Sequence, residues 1–528
     1  MTSPVPTTPR LGALRGGAGA EARADRRRRV AIEVAALLAA AGLAVLIACH
    51  LAVADRAWIV YFDGDSMLPV LVDHSVRLGQ PQDWALSSPL FIPEMALFGA
   101  ISLSGLPVAA ILTLNGIANW LLLYGAIRFV SGAVARRGAA VAALAAFAVV
   151  ASLALLEPSS SRDSFENASL LSTGTYYSAT EIASVLVVGL GIRVLRPGAN
   201  GAGVGTRLAR PPVAWCVALG VVVAGSVLTN PLFILWGVAP LLAAVVLAVL
   251  TRVVARRIAS ICVLVVVVAV GVGMLGRLPF AGLLTESPSA IYRPDEVGGS
   301  APYYAALLLQ LGRTAQGVVE LVLLLATAVS AVAALVASRR DMARFVVAGV
   351  ALGGPVVVAV GAVLVGTSSA RYLEPVMFLP ASAILAIPRS ALPVHRPVRL
   401  GAAVAAVVGI AVVASSLLTP DAVRQSPETR AMSASVQCVD DWVMASGRTG
   451  AGEYWTVRAP KAYLADPRRL VQVDGNLHAY LWLVNQADYD GLKAVSFVVE
   501  DAGSASLRIP ERSTPRWTRP PSCSKANA

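Results

Sequence analysis

Charged side chains are scarce in this sequence. Of its 528 residues, 14% are charged and 56% are hydrophobic, whereas a soluble globular protein carries roughly 25% charged residues. Water therefore cannot be the main solvent of the chain. The composition predicts an integral membrane protein that crosses the bilayer several times.

Several catalytic signatures are also missing. The sequence contains no serine–histidine–aspartate arrangement, no zinc-ligand spacing, no glycine-rich phosphate loop and no Walker sequence. These absences argue against ATP-driven transport and against chemistry on soluble nucleotides.

Cysteine is rare, and the five cysteines fall into two groups. Cys49, Cys216 and Cys262 lie within apolar runs, where a thiol behaves as a small hydrophobic side chain. Cys438 and Cys523 lie in the polar C-terminal part of the chain. They could form a disulfide if that part faces an oxidising compartment.

Basic residues exceed acidic ones and give a formal net charge of +12. Most of them stand in short clusters between apolar runs, so we interpret them as topology signals and predict no nucleic-acid partner. Their distribution predicts a multi-pass protein of the plasma membrane. Its N-terminus would be cytoplasmic and its C-terminus extracytoplasmic.

Crossing the hydrocarbon core takes roughly 20 mostly apolar residues in a helix. By this measure the sequence predicts an all-α polytopic membrane protein with about eleven transmembrane helices. We place them near residues 31–54, 107–128, 138–156, 178–196, 213–229, 231–251, 258–276, 317–337, 345–366, 373–388 and 400–418.

Three regions follow from this assignment. Residues 1–30 are rich in Gly, Ala, Pro and Arg, which predicts a disordered basic cytoplasmic tail. Residues 31–418 form the multi-span domain, with outward loops at 55–106, 157–177 and 277–316. Residues 419–528 contain alternating stretches typical of strands, so we expect a small extracytoplasmic α+β domain.

The first outward loop carries an acidic pair, Asp63 and Asp65. Gly64 between them lets the backbone turn, so that both carboxylates could face one site. Such a pair can hold a divalent cation, Mg or Mn, or act as a general base for an acceptor hydroxyl. The alternative is a pair of solvated loop residues.

The same loop continues through Asp83, Trp84 and Glu94, where apolar and polar residues alternate as in a helix lying at the membrane interface. We predict that these three residues contact the substrate. The alternative is a plain aromatic anchor. In the second outward loop, Tyr176 and Tyr177 are either substrate contacts or members of an aromatic belt.

Three charged positions complete the candidates. Glu181 falls inside the start of a span and should face a cavity rather than lipid. Arg293 lies in the third outward loop, which Pro and Gly mark as irregular, and is either a substrate contact or part of a connector. Arg371, beside Tyr372, could bind a lipid phosphate, or it could pair with Glu374 or snorkel. The aromatic residues of the C-terminal domain could stack on sugars, but most are expected to build its core.

Taken together, these features resemble the GT-C superfamily of membrane glycosyltransferases. The resemblance rests on the acidic pair, the interfacial segment through Trp84 and Glu94, the hairpin at Asn230-Pro231, the late Arg371-Tyr372 and the extracytoplasmic C-terminal domain. The Ala/Val/Arg-rich composition is similar to that of actinobacterial membrane proteins. The sequence lacks the His-rich segment of protein mannosyltransferases and the Trp-Trp-Asp type of motif of oligosaccharyltransferases, which leaves the substrates open.

The resemblance implies transfer of a sugar from a polyprenyl-phosphate donor to a cell-envelope glycan or protein acceptor on the outward face, with inversion. One of Asp63 and Asp65 would deprotonate the acceptor hydroxyl, and the other would position the acceptor or hold a metal. Arg371, with Arg293, would neutralise the departing lipid phosphate. The competing hypotheses are a flippase or transporter for lipid-linked saccharides and a non-enzymatic membrane scaffold.

Overall fold

The computed structural model of the chain describes residues 12–135, 138–196, 213–285, 292–387, 427–492 and 494–501. Seven helices of these ranges are long and apolar enough to cross a membrane. They are α1 (Gly12–Val53, whose apolar part starts at Arg23), α5 (Val108–Val134), α6 (Ala139–Leu156), α7 (Ser178–Leu195), α10 (Arg256–Leu275), α12 (Ala315–Ala337) and α13 (Met342–Val365). The predicted class, a polytopic helical membrane protein, is confirmed.

Two shorter apolar helices, α8 (Val213–Thr229) and α9 (Ala239–Leu250), coincide with the fifth and sixth predicted spans. The predicted hairpin between them is present: the Asn230 side chain accepts from the backbone N–H of Leu232 at 3.0 Å. Its amide donates to the Thr180 hydroxyl at 3.0 Å, which fixes the hairpin against α7. A π-helical turn, Ile234–Val238, then leads into α9.

Nine of the eleven predicted spans thus coincide with a described helix. The tenth, near 373–388, is not one helix. It is a series of short turns at Ala370–Leu373, α14 (Pro375–Phe378), Pro380–Ser382 and α15 (Ala383–Ala386). Pro375 and Pro380 cannot donate backbone hydrogen bonds, which explains the break. The eleventh predicted span, 400–418, lies outside the described residues.

The predicted disordered tail, residues 1–30, is wrong over most of its length. Helix α1 starts at Gly12 and runs through the arginine cluster into the membrane span. Alanine is the best helix former, and an ion pair joins Asp25 and Arg29 one turn apart, so the helix extends beyond its apolar part. Residues 1–11 lie outside the described residues.

The loops predicted to face outward are largely folded. The first contains α2 (Ala57–Tyr61), α3 (Leu68–Arg77), strand β1 (Trp84–Ala85) and α4 (Ile92–Ser102). The predicted interfacial segment therefore becomes helical only from Ile92. The third loop was expected to be irregular, but it holds α11 (Val297–Leu311), which contains Pro302. Short 3₁₀ turns lie at Ala168–Ser172, Leu278–Leu283 and Pro294–Glu296.

The C-terminal region builds a small three-stranded parallel sheet. Its helices are α16 (Pro427–Ser446) and α17 (Tyr454–Tyr463), and its strands are β2 (Gly450–Gly452), β3 (Leu470–Gln472) and β5 (Phe497–Val499), in the order β3-β2-β5. Further 3₁₀ turns lie at Pro467–Arg469 and Gln486–Tyr489. Cys438 on α16 is disulfide-bonded; Cys523, its predicted partner, lies outside the described residues, so that pairing stays a prediction.

The C-terminal region is joined to the first outward loop by a strand pair. Strand β4 (Val484–Asn485) pairs antiparallel with β1, with Trp84 opposite Asn485 and Ala85 opposite Val484. The Asn485 amide also donates to the Ser75 hydroxyl at 2.8 Å. This contact places the C-terminal domain directly above the acidic pair of that loop.

The second outward loop wraps around one buried arginine. Arg56, 3% exposed, donates to the Ser169 hydroxyl at 2.8 Å and to the Ser159 and Ser161 carbonyls at 2.7 and 3.1 Å. It also pairs with the buried Glu157 at 3.5 Å. One cation therefore binds several polar groups of this loop at once.

Replacing Arg56 with alanine should destabilise the protein strongly, because it leaves the Glu157 carboxylate buried without its counter-ion. We expect a loss of about 3 kcal/mol, typical of a broken buried pair. The matched control is Arg468→Ala, which breaks an exposed pair with Asp466 and should cost no more than about 1 kcal/mol. Denaturant unfolding of the full chain in detergent measures both, and equal losses would contradict the role assigned to Arg56.

Candidate active site

The acidic pair lies in a tight turn between α2 and α3. Oδ2 of Asp63 accepts from the backbone N–H of Asp65 at 3.1 Å and from that of Ser66 at 3.4 Å. Asp63 is 1% exposed and Asp65 is 9% exposed. These carboxylates are therefore not solvated loop residues, which removes the alternative considered for them.

Asp63 is bound by two side chains of the second outward loop. Arg162 donates to Oδ1 of Asp63 at 2.9 Å, and the Tyr176 hydroxyl donates to Oδ2 at 2.9 Å. Burial and the neighbouring Asp65 raise the pKa of Asp63 to about 6, against the opposing effect of Arg162. At neutral pH the carboxylate is therefore ionised and held by its arginine.

Asp65 has different partners. Arg371 donates to Oδ2 of Asp65 at 3.1 Å, and the Tyr454 hydroxyl donates to Oδ1 at 2.6 Å. Arg371 comes from the turn before α14, and Tyr454 comes from the first residue of α17. The alternative considered for Arg371, a pair with Glu374, is absent from the ion pairs of the described residues, in which Arg371 binds Asp65 instead.

Gly64 matters for its lack of a side chain. A Cβ atom at this position would lie 3.0 Å from ring atoms of both Tyr454 and Trp455. The Gly64 carbonyl also accepts from Nε of the fully buried Arg458 at 2.9 Å. The glycine therefore allows α17 to pack directly on the acidic turn. The role predicted for it was different: a backbone turn that lets both carboxylates face one site.

Two cavities meet at Asp65 and Arg371. The larger one, called here the apolar cavity, has a volume of about 600 Å³, within the range of small-molecule sites. Its lining includes Asp65, Phe91, Tyr177, Asn230, Leu232, Leu235, Ala239, Arg293, Ala362, Val365, Arg371, Tyr372 and Trp482. Several of these belong to the hairpin, α9 and α13, so membrane helices form much of the wall.

The smaller one, called here the polar cavity, has a volume of about 260 Å³ and lies against the C-terminal domain. It is lined by Asp65, Arg162, Asp163, Tyr176, Ser369, Arg371, Trp455, Tyr480 and Trp482. Asp63 lines neither cavity, although it is adjacent in the turn. Only one of the two carboxylates is therefore exposed to both spaces.

Arg371 has unused hydrogen-bonding capacity. Its Nε–H is buried and has no hydrogen-bond partner among the described residues. The guanidinium carbon lies 5.7 Å from the ring centre of Tyr176 and 6.0 Å from those of Tyr177 and Tyr372. These rings hold the cation by cation–π attraction while leaving donors available for an anion.

Tyr177 forms the aromatic wall of the apolar cavity. It adopts a left-handed backbone conformation (φ 64°), which is strained for a residue with a large side chain. Its ring is stacked between Phe91 at 6.3 Å and Tyr372 at 6.4 Å. Packing of this kind compensates the strain, and the two predicted tyrosines become cavity walls rather than belt residues.

The residues present do not match a divalent-cation site. Each carboxylate of the acidic pair already binds one guanidinium and one tyrosine hydroxyl. The described part of the chain contains no cluster of three or more acidic, histidine or cysteine side chains. A cation such as Mg²⁺ needs several oxygen ligands, and here two arginines occupy the charge-balancing positions.

The structure brings together five of the predicted substrate contacts and separates four. Arg293, Tyr177, Tyr372 and Arg371 line the apolar cavity, and Tyr176 lines the polar one. The others lie outside both linings: Asp83, Trp84, Glu94 and Glu181.

Each of these four has another role or place. Asp83 accepts from the Gln486 side chain at 3.1 Å, and Trp84 lies in β1, so both tie the C-terminal domain to the first loop. Glu94 is buried and accepts from the Ala179 backbone at 3.3 Å. Glu181 is buried inside α7.

Four residues of the site were not among the predicted contacts: Arg162, Tyr454, Trp455 and Arg458. The guanidinium of Arg162 lies 3.7 Å from the ring centre of Trp455, so the second loop and the C-terminal domain meet over the acidic turn. A sequence signal existed for Arg162, since it is the only arginine of its loop. The other three lie in a domain whose aromatic residues were mostly expected to build a core.

Known proteins with a similar fold were found among solved structures. One is the oligosaccharyltransferase of Archaeoglobus fulgidus in the apo form, with 13% identity over 81% of this chain and 63% of that chain and a TM-score of 0.47. A second structure of that enzyme, with an inhibitory peptide and a dolichol-phosphate, gives 12% identity over 82% and 64% and a TM-score of 0.45. Another is ArnT from Cupriavidus metallidurans, with 16% identity over 81% of this chain and 84% of that chain and a TM-score of 0.45.

All three structures have identities below 25% and TM-scores below 0.5. The chain spans about 63% of the length of the first of them. No family model and no curated protein sequence matches the chain.

Substituting Asp63 with asparagine should flatten the pH dependence of stability between about pH 4 and pH 6. The pKa of Asp63 is about 6 in the folded chain against 3.8 in a model peptide. The folded state therefore binds more protons in this window, and the Asp63 contribution to stability falls as pH rises through it. The difference corresponds to about 3 kcal/mol, since each pKa unit is about 1.4 kcal/mol.

Thermal or denaturant unfolding of the full chain at pH 4, 5, 6 and 7 measures this difference and separates the two windows. The matched control is Glu94→Gln: burial raises the pKa of Glu94 from 4.5 to about 7, so that variant should flatten a higher window, up to pH 7. If the Asp63→Asn curve runs parallel to that of the wild type, Asp63 is not the titrating group.

Proposed function

We propose that this chain is an inverting membrane glycosyltransferase. It transfers a sugar from a polyprenyl-phosphate donor to a cell-envelope acceptor on the outward face of the plasma membrane. In this orientation the N-terminus is cytoplasmic, and the C-terminal domain is extracytoplasmic.

The observation that carries the proposal is the position of the Asp65–Arg371 pair between two cavities of opposite character. Membrane helices form much of the wall of the apolar cavity, which suits a polyprenyl chain. The polar cavity lies under the C-terminal domain and suits a hydrophilic acceptor. A base and a phosphate-binding cation at their junction are the two groups that glycosyl transfer from a lipid phosphate needs.

In the proposed reaction, Asp65 accepts the proton of the acceptor hydroxyl while the oxygen of that hydroxyl attacks the anomeric carbon of the donor sugar. The bond between that carbon and the phosphate oxygen breaks, and polyprenyl phosphate leaves with the electron pair. A single in-line displacement inverts the anomeric configuration. Arg371 neutralises the charge that develops on the leaving phosphate.

Asp63 has a different role in this proposal. It lines neither cavity and is fixed by Arg162 and Tyr176, so it orients the turn that presents Asp65. Arg293 lines the outer part of the apolar cavity, where it adds positive charge for the phosphate. Tyr177 and Tyr372 form the wall beside the phosphate-binding arginine.

Removing the base should abolish transfer. Membranes carrying Asp65→Asn are expected to transfer the sugar about 10²- to 10⁴-fold more slowly than the wild type, since a general base usually contributes that factor. Asp63→Asn should lose less, because Asp63 acts only through the turn. The measurement is incorporation of radiolabelled sugar from a panel of polyprenyl-phosphate sugars into envelope acceptors, at equal protein level.

Retained transfer by Asp65→Asn would refute the assignment of the base. If no donor of the panel supports transfer by the wild type, a scrambling assay with lipid-linked saccharides in vesicles tests the flippase hypothesis directly. Accelerated scrambling by the wild type would then replace the proposed function.

Arg371 makes a second, less obvious prediction possible. In the structure it pairs with Asp65, so a donor phosphate must compete with that carboxylate for the same guanidinium. Asp65→Asn removes both the competitor and its charge. The inactive variant should therefore bind undecaprenyl phosphate about three- to tenfold more tightly than the wild type, a gain of up to about 1.4 kcal/mol.

The matched control is Asp73→Asn, which removes the same charge from an ion pair with Arg77 in α3. It should leave the affinity unchanged, whereas Arg371→Gln should weaken it. Binding of fluorescent undecaprenyl phosphate to the full chain in nanodiscs measures all three. Weaker binding by Asp65→Asn would contradict the competition.

A further inference from the structure

Aromatic side chains of the C-terminal domain divide into two groups. Trp442 lies edge-on against Phe497, with ring centres 4.4 Å apart, and belongs to the core of the domain. Trp455 and Tyr480 are instead 48% and 41% exposed. Together with Trp482 they line the polar cavity. Three aromatic rings of this domain therefore line a cavity, beside the rings that build its core.

Packing of the domain does not account for the exposure of these rings. Trp455 is fixed by the Arg162 guanidinium at 3.7 Å and by close contact with Gly64. The Tyr480 ring meets the edge of Tyr454 at 6.0 Å, and the Tyr454 hydroxyl holds Asp65. The exposed aromatic surface is thus built onto the residues that position the base.

Polar groups surround these rings. Asp163 contributes a largely exposed carboxylate, and Ser369 contributes a hydroxyl beside Arg371. A cavity that combines flat apolar rings with hydrogen-bonding groups suits a ligand with the same two properties. A sugar ring has an apolar C–H face and a rim of hydroxyl groups. An acyl chain would offer no hydrogen-bonding group to Ser369 or to Asp163, whose carboxylate lies 4.0 Å from the Arg162 guanidinium.

A peptide acceptor is less well matched. Extended peptides are commonly bound by addition to a free strand edge, and none of the residues that line the polar cavity belongs to a strand. The volume of about 260 Å³ also suits a compact ring better than several side chains.

We propose that the polar cavity is the subsite for a saccharide acceptor. This inference rests on the proposed function and names the substrate class of the same site. Trp455, Tyr480 and Trp482 hold the acceptor sugar by stacking. Asp163 accepts a hydrogen bond from one of its hydroxyls, and the reacting hydroxyl lies at Asp65. The C-terminal domain therefore selects the acceptor, whereas the membrane helices bind the donor.

A binding experiment tests the subsite without any transfer reaction. The probe is the mixture of oligosaccharides that mild acid releases from the envelope polysaccharide of the source organism. Its binding to the full chain in nanodiscs is followed by tryptophan fluorescence, which Trp455 and Trp482 should report. We expect a saturable change that is about tenfold weaker in Tyr480→Ala, since one stacking contact is worth about that factor.

Two further variants separate stacking from folding. Tyr480→Phe keeps the ring and should bind within about threefold of the wild type. Leu481→Ala changes the neighbouring exposed side chain, which lines neither cavity, and should bind like the wild type. No saturable change with the oligosaccharides, or equal binding by Tyr480→Ala, would overturn the inference. So would saturable binding of a tryptic digest of envelope proteins instead.

The transfer product gives an independent answer. Label transferred by the wild type should remain in a protease-resistant polymer that is insoluble in organic solvent. Recovery of the label in peptides or in extracted lipid would overturn the saccharide acceptor while leaving the proposed glycosyl transfer intact. Absence of any transfer, together with saturable oligosaccharide binding, would instead count against the proposed function alone.

Discussion

Two carboxylates separated by a single residue cannot both be buried as anions unless each has its own counter-charge. Mutual repulsion and desolvation both oppose the arrangement of Asp63 and Asp65. In this protein the counter-charges come from distant parts of the chain. Arg162 is 99 residues away from Asp63, and Arg371 is 306 residues away from Asp65. Holding the acidic turn together therefore requires the second loop and the turns before α14 to meet at one place.

The same constraint explains why the two aspartates are not equivalent. Asp63 also closes its own turn through backbone N–H groups, so its oxygens are fully used inside the protein. Asp65 is held by one arginine and one hydroxyl at the boundary of two cavities. Arg371 balances this charge and also has a buried Nε–H without a hydrogen-bond partner among the described residues. The stability of the site and the proposed binding of a phosphate thus depend on the same side chain.

Local patterns in the sequence were sufficient for the membrane spans, the hairpin at Asn230 and the acidic pair. Apolar runs and two aspartates separated by one glycine are short-range signals. The break in the tenth predicted span was readable from Pro375 and Pro380, although composition alone suggested a helix. Arg371 could be predicted because an arginine between two apolar runs is conspicuous.

The remainder of the site depends on tertiary contacts that no local pattern encodes. Tyr454 is 389 residues from Asp65, and Arg458 is 394 residues from Gly64. Both lie on α17, and their sequence looks like an ordinary amphipathic helix of a small domain. Asp83 and Trp84 were placed in the site for their chemistry, but pairing of β1 with β4 directs them to the domain junction. In each case the position of the residue depends on which elements pack against each other, and local sequence patterns do not encode this packing.

The small C-terminal sheet depends on the junction between the two domains for part of its stability. A three-stranded sheet with strands of three residues buries little apolar area by itself. The buried Arg458 and Lys461 face inward from α17, and Lys461 pairs with Asp488 at 2.6 Å. Arg458 reaches across to the Gly64 carbonyl, so part of the domain's polar interior is satisfied only by the membrane domain. The C-terminal domain and the acidic turn therefore support each other, and the proposed base is held in place by residues of both domains.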